Sequence, residues 1–330
     1  MKTLPGVRRI LFVRTDRIGD TLMNLGAIRL LRQTYPKAWI TLLCDRGVAP
    51  LFEGQPDLDE VMSVDAAVLK KDWGSRLRLF RLIRKAGFDL ALVSNPDRFF
   101  HALLFFARIP NRAGYSRKAP FFLNHTLKDD KDLSLRHEVD SNLRLVSLVS
   151  DAAWDGQMLL PVDTAARERV KDYLSRRGAD EMVIAFHVGT TNLAKRWPVE
   201  HFSALADRIQ QGNDAKVVLI GGPEEKEAGE LMFRQTQISV VDAIGQFSLK
   251  ELAAFLSLDN VKALISSDSG PAHIAWILGK PTVVLFAKDV PGSNPVRWGP
   301  RDGLSETIEK PMKDISVDEV LAALERALSK

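Results

Sequence analysis

Four short stretches of this 330-residue chain place reactive or binding side chains at spacings that could do chemistry. The first is Thr15-Asp16-Arg17-Ile18-Gly19-Asp20. Its glycine allows a ligand close to the backbone, and Asp20 opens a helix, where it reads as either a cap or a general base. The second is GTTNLAKRWP, Gly189 to Pro198. It gathers the hydroxyls of Thr190 and Thr191 with the charges of Lys195 and Arg196, donors suited to a diphosphate. The third, Gly221-Gly222-Pro223-Glu224-Glu225, puts two acids at the start of a helix. They could take ribose hydroxyls, or simply complement the helix dipole.

The fourth stretch, ISSDSGPAHIAWILGKPTVVL from Ile265 to Leu285, says most about purpose. A strand hands over to a helix at Asp268-Ser269-Gly270, where free N–H groups and the dipole attract an anion such as a ligand phosphate. Asp268 would repel that phosphate, so it should face sugar hydroxyls or pair with a cation such as Lys195. Ser269 and His273 stand one helical turn apart, but GxSxG is absent and no orienting acid is placed for a serine nucleophile. Neither GxGxxG nor GxxxxGK[ST] occurs, so a dinucleotide cofactor lacks support and no Walker loop is expected. No His/Cys/Asp cluster has metal-ligand spacing, and the expectation is an activity without metal or cofactor.

These stretches need a scaffold that presents them together. Strand and helix patterns alternate from Arg8-Arg9-Ile10-Leu11-Phe12-Val13 onward. A helix is expected from about Thr21 to Tyr35, and strands at Trp39–Leu43, Val61–Val64 and Leu90–Ser94. Near Asp163 the rhythm pauses. Helix Thr164–Arg177 then leads into strands at Met182–His187, Lys216–Ile220, Val240–Asp242, Lys262–Ser266 and Thr282–Phe286, and a closing helix spans Val317–Leu328. The pattern predicts an α/β protein with two Rossmann-like lobes, residues 1–163 and 164–330. Ligands would bind between the lobes at the carboxyl ends of the strands.

Composition narrows the partners. Residues 1–150 hold 25 Lys and Arg against 16 Asp and Glu, whereas the rest of the chain holds 21 against 26. A basic first half suits an anionic partner such as phospholipid, phosphorylated glycan or nucleic acid, or is ordinary solubility charge. No nucleic-acid motif is present, and nucleic acid is not the expected partner. From Leu69 to Ala86 an apolar stripe (Leu69, Trp73, Leu77, Phe80, Ile83) runs among seven basic residues. It fits a core-facing helix or one lying on an anionic membrane. FFHALLFFARI, Phe99 to Ile109, is too short to span a bilayer and is either a buried crossover helix or a patch that dips into lipid. The single cysteine, Cys44, reads as a buried apolar residue. No signal peptide precedes the first strand, and a cytoplasmic location is expected.

In order along the chain, VRTDRIGDTLMNLGAIRLLRQTYP, RHEVDSNLRLV, KRWPVEHFSALADRI, VVLIGGPEEKE and SSDSGPAHIAWILGKPTVVLF resemble glycosyltransferase family 9, the ADP-heptose–lipopolysaccharide heptosyltransferases. The resemblance implies a GT-B architecture with two parallel sheets facing across a cleft. It also implies inverting, metal-free transfer of a sugar, most simply heptose from ADP-heptose, to the lipopolysaccharide inner core at the cytoplasmic face of the inner membrane. Asp20 would be the base. Thr190, Thr191 and Lys195 would hold the donor diphosphate, Glu224 or Glu225 would lie near the ribose, and Asp268, Ser269, Gly270 and His273 would line the donor site. An anionic lipid A–Kdo acceptor would meet the basic first lobe, with Arg98, Arg112, Arg117, Lys118 and Lys128 as candidates. Ala287-Lys288-Asp289 departs from the glycine and small polar loop usual in the family, and the cysteines common near the family's C-terminus are missing, which bears on the donor. The alternatives are a non-catalytic sugar-nucleotide-binding protein on this scaffold, or transfer of another sugar to other cell-surface glycans.

Overall fold

The computed structural model describes residues 2–190, 192–212 and 215–330, and the expected donor residue Thr191 lies outside them. The chain divides into two compact units, one ending at Pro161 and the other beginning at Val162.

The first unit holds strands β1 (Arg9–Arg14), β2 (Trp39–Asp45), β3 (Glu60–Val64), β4 (Leu90–Val93), β5 (Asn111–Tyr115) and β6 (His125–Leu127). They form one sheet in the order β3-β2-β1-β4-β5-β6, every pair parallel. The second unit repeats the plan with β7 (Val183–His187), β8 (Lys216–Ile220), β9 (Val241–Asp242), β10 (Val261–Ser267), β11 (Thr282–Ala287) and β12 (Glu306–Lys310), ordered β12-β11-β10-β7-β8-β9. Numbered within its own unit, each sheet runs 3-2-1-4-5-6, the dinucleotide-fold order whose switch point lies beside the first strand. The central strands are apolar on both faces because helices cover both. Ile10, Leu11 and Phe12 in β1, and Ile184, Ala185 and Phe186 in β7, are fully buried.

Three expectations change. The helix expected from Thr21 to Tyr35 is two helices, Ile18–Leu22 and Leu25–Thr34. Buried Asn24 separates them, its Nδ2 donating to the carbonyls of Asp20 (2.8 Å) and Thr21 (3.3 Å). The stripe from Leu69 to Ala86 is likewise interrupted. Asp72 accepts from the N–H groups of Gly74 and Ser75 and starts a new helix, Trp73–Ala86, after the helix Ala66–Lys71. Leu69, Leu79 and Ile83 enter the core with Phe100, Leu103 and Leu104, whereas Trp73 and Leu77 remain exposed. Finally, β5, β6 and β12 lack an apolar run. β5 opens on Asn111-Arg112, β6 has three residues, and edge strand β12 carries Glu306, Glu309 and Lys310 among its five residues.

Candidate active site

In the first unit the chemistry gathers beyond the carboxyl end of β1. Arg14 ends that strand, is 4 % exposed, and is surrounded by acids. Its Nε donates to Asp16 at 2.6 Å, its Nη2 to Asp20 at 2.7 Å, and its Nη1 to the Ser94 carbonyl at 2.9 Å, with Glu138 at 3.7 Å. Burial opposes the guanidinium's charge, but Asp16, Asp20 and Glu138 together hold its pKa above the ordinary value. Burial, with the neighbouring Asp20, holds the Asp16 carboxyl above its usual range despite the pairing with Arg14. Lys131 closes the cluster from behind, bonded to Glu138 and, at 3.1 Å, to Asn142. Asn142 in turn donates to the Met23 carbonyl at 3.1 Å.

Asp20 is therefore not a helix cap. Arg17 occupies the N-cap position, and the Asp20 carboxylate faces Arg14 instead of backbone N–H groups. Arg14 fixes Oδ1, and Oδ2 is left without a partner among the described residues.

Of the residues expected to receive an anion, Arg98, Arg117, Lys118 and Lys128 follow the carboxyl ends of β4, β5 and β6, the same edge of the sheet as Asp20. Arg117 pairs with Asp129 at 2.7 Å. Arg112 does not join them. It lies near the amino end of β5, donates to the carbonyls of Phe122 (2.7 Å) and Ile109, and stacks on Phe105. Its guanidinium is a brace at the opposite edge of the sheet. The chain's two Asp-x-Asp spacings also contain committed acids. Asp57 and Asp59 pair with Arg29 and Arg32, and Asp130 pairs with Arg136.

In the second unit, neighbouring strands β10, β7 and β8 bring three loops to one carboxyl edge. Lys195 Nζ donates to Asp268 Oδ2 at 2.9 Å, so Asp268 takes the cation-pairing alternative. His273 Nε2 lies 3.7 Å from the other Asp268 oxygen. Trp276 Nε1–H donates to His273 Nδ1 at 3.2 Å, which places the ring proton of a neutral His273 on Nε2, facing the carboxylate. Gly270 begins the helix Gly270–Ile277, and the Ser269 side chain makes no capping bond to it, so the Gly270 N–H stays available to an anion, while Pro271 has none to offer. Thr190 accepts from the Asn192 N–H at 3.3 Å.

The Ser269 hydroxyl turns to His187, whose Nδ1 is 3.2 Å away, and to Ser266 at 2.8 Å. His187 Nε2 faces Glu225 Oε1 at 3.2 Å, and Glu225 Oε2 accepts the Gly222 N–H at 2.9 Å. A Cβ at Gly189 or Gly221 would sit 2.0 Å from the Glu225 side chain, so both glycines are needed for this approach. Glu224 is exposed. Sequence reasoning passed over His187, Arg14, Lys131 and Glu138. His187 and Arg14 end apolar strands where a buried polar side chain must have partners, and that was the available signal.

A model of glycosyltransferase family 9 (heptosyltransferase) matches residues 76–322. The chain belongs to glycosyltransferase family 9. It is accordingly a glycosyltransferase, and its fold is of the GT-B class. Lipopolysaccharide heptosyltransferase 2 of Salmonella typhimurium is 29% identical over 300 residues, covering 87% of this chain and 85% of that protein. A family 9 glycosyltransferase of Veillonella parvula superposes with a TM-score of 0.89 at 24% identity, covering 99% of each chain. An Escherichia coli heptosyltransferase with ADP superposes at 0.77 and 19% identity, covering 97% of this chain and 99% of that one.

Proposed function

We propose that this family 9 enzyme transfers heptose from ADP-heptose to the inner core of lipopolysaccharide with inversion at the anomeric carbon. The observation that carries the reading is the state of Asp20, with one oxygen held by Arg14 and the other open. The first unit would supply the base and receive the acceptor, and the second would hold the donor. The acceptor hydroxyl gives its proton to Asp20 Oδ2 as its oxygen bonds to the anomeric carbon. The bond from that carbon to the diphosphate breaks on the opposite face, and its electron pair leaves with the phosphate. Lys195 keeps two N–H donors beyond the one used by Asp268, and these, with Thr190 and the free N–H group of Gly270, take up the growing charge without a metal. Asp268 and His273 are then left to the sugar, and Glu225 to the ribose.

The basic residues on the Asp20 edge suit a phosphorylated Kdo–lipid A acceptor. The chain would meet it as a peripheral protein at the cytoplasmic face of the inner membrane, in keeping with the absence of any helix long and apolar enough to cross a bilayer among the described residues. Turnover of ADP-heptose with a Kdo–lipid A acceptor, undiminished by EDTA, is the expected result. Binding of ADP-heptose with no transfer would instead support a non-catalytic binding protein. A thermal-shift panel of ADP, UDP, GDP and their sugars identifies the donor, because a ligand at a hundred times its Kd adds ~2.7 kcal/mol of stability. Preference for another nucleotide sugar would reassign the donor.

A further inference from the structure

One face of the first unit is both apolar and cationic, and the catalytic reading makes no use of it. Helix Trp73–Ala86 buries Leu79 and Ile83 against the sheet, yet it also carries large apolar side chains on its outer side. Trp73 is 79% exposed, and Leu77 and Leu82 are exposed as well. Trp73 does not hang free. The Arg76 guanidinium stacks on its ring at 5.3 Å while donating to the carbonyls of Leu69 (2.6 Å) and Lys70 (2.8 Å). The indole is thus held at the surface by a braced cation.

Positions 73, 77 and 84 share one side of the helix, three turns or ~16 Å long. At its far end Arg84 donates to the Phe106 carbonyl at 3.2 Å. The Phe106 ring lies 5.9 Å from Phe122, which lies 4.4 Å from Phe121. Phe106 and Phe121 are 59% and 75% exposed. The strip thus runs along one side of the helix from Trp73 to Arg84 and on through contacts to Phe121. It is also strongly positive, since WGSRLRLFRLIRKA contains five basic residues and no acid, and Arg78, Arg81 and Lys85 are exposed beside the aromatic rings.

A tryptophan at one end, phenylalanines at the other and an excess of cations between them, of which Arg78 pairs with Asp72 at 3.7 Å, match the surface of an anionic bilayer. Indole settles at headgroup depth, phenyl rings enter the acyl boundary, and guanidinium and ammonium groups meet lipid phosphates. We propose that this strip is the surface by which the protein docks on anionic phospholipid. The inference rests on the proposed function only in expecting a membrane at all; the surface itself is read from exposure and charge.

The test is co-sedimentation of the full chain, without donor, with vesicles of phosphatidylethanolamine and phosphatidylglycerol or of phosphatidylcholine alone. The wild type should partition onto the anionic vesicles and leave them in high salt. Arg81→Glu with Lys85→Glu should weaken binding by about fivefold or more per charge. Trp73→Ser, Phe106→Ser and Phe121→Ser combined should weaken it at least tenfold, with unchanged melting temperature and unchanged turnover of a water-soluble acceptor fragment. Equal partition of wild type and aromatic variant would overturn the proposal, as would a wild type that ignores anionic vesicles. So would a concentration-dependent dimer that the aromatic variant abolishes without any vesicle binding, which would assign the strip to a second copy of the chain. A failure of heptosyl transfer alone would leave the vesicle result intact.

Discussion

Ser269 reaches His187 across neighbouring strands, Oγ to Nδ1 at 3.2 Å, and not the His273 that follows it by one helical turn. The same imidazole meets Glu225 at 3.2 Å. One buried ring thereby fixes a hydroxyl from the loop after β10 and a carboxylate from the loop after β8. Such a bridge sets where Ser269 and Glu225, the groups proposed to meet the donor, point. The prediction is that His187→Ala leaves both partners misdirected and raises the Kd for ADP about fivefold or more, from ~1–3 kcal/mol of lost hydrogen bonding. Calorimetric titration measures it, and an unchanged Kd would mean that the ring only fills space.

Lys195 acts on the charge itself. Charge-assisted hydrogen bonds contribute ~1.5–3 kcal/mol each, so Lys195→Ala should weaken ADP binding by about ten- to hundredfold and lower turnover too. It also strips Asp268 of its closest cation, leaving a nearly buried carboxylate to repel the diphosphate. AMP, with one phosphate fewer, should lose less. If ADP affinity and turnover both survive, the diphosphate is held elsewhere.

Arg14 carries the prediction for stability. Removing a buried cation from among Asp16, Asp20 and Glu138 leaves uncompensated charge, a loss of ~3–5 kcal/mol. Arg14→Met should show it in denaturant melts. Arg14→Lys should restore only part, because an ammonium cannot serve Asp16 and Asp20 with a planar fork. A melt of Arg14→Met matching the wild type would remove Arg14 from its place as the organising charge.

Cys44 offers a check on the core. Burial, with the nearby Asp45, pushes its thiol up to about 12. A thiol that ionises only at about 12 stays neutral throughout the physiological range, and here it is also buried. The native protein should resist thiol reagents at neutral and mildly alkaline pH and become labelled only on unfolding. Fast labelling of the folded protein would show that β2 opens locally.

Much of this scaffold was legible in the residues. Buried parallel strands such as Ile10-Leu11-Phe12 and Ile184-Ala185-Phe186 announce themselves as apolar runs, and the closing helix Val317–Leu328 has clear helical spacing. Edge strands do not, and β12, charged at Glu306, Glu309 and Lys310, reads as a loop. The break at Asn24 escaped notice because a buried side chain capping carbonyls looks, in sequence, like a polar residue inside a helix. The donor-site motifs were visible as types, but partners were not. Asp268 could have faced a sugar or Lys195, and only the adjacency of β7 and β10 brings the lysine to it. His187 meets Ser269 and Glu225, and Arg14 meets Ser94 and Glu138, all distant in sequence, and composition and spacing cannot supply such pairings.

The role of Asp20 as the base is tested most directly by steady-state kinetics of Asp20→Asn. The asparagine keeps the shape and can still meet Arg14 through its carbonyl oxygen, but it cannot accept the acceptor's proton. Loss of a positioned base costs ~10²–10⁴-fold in rate, so kcat should fall by about that factor while the Kd for ADP stays near its wild-type value. Near-normal kcat in that variant would contradict the mechanism.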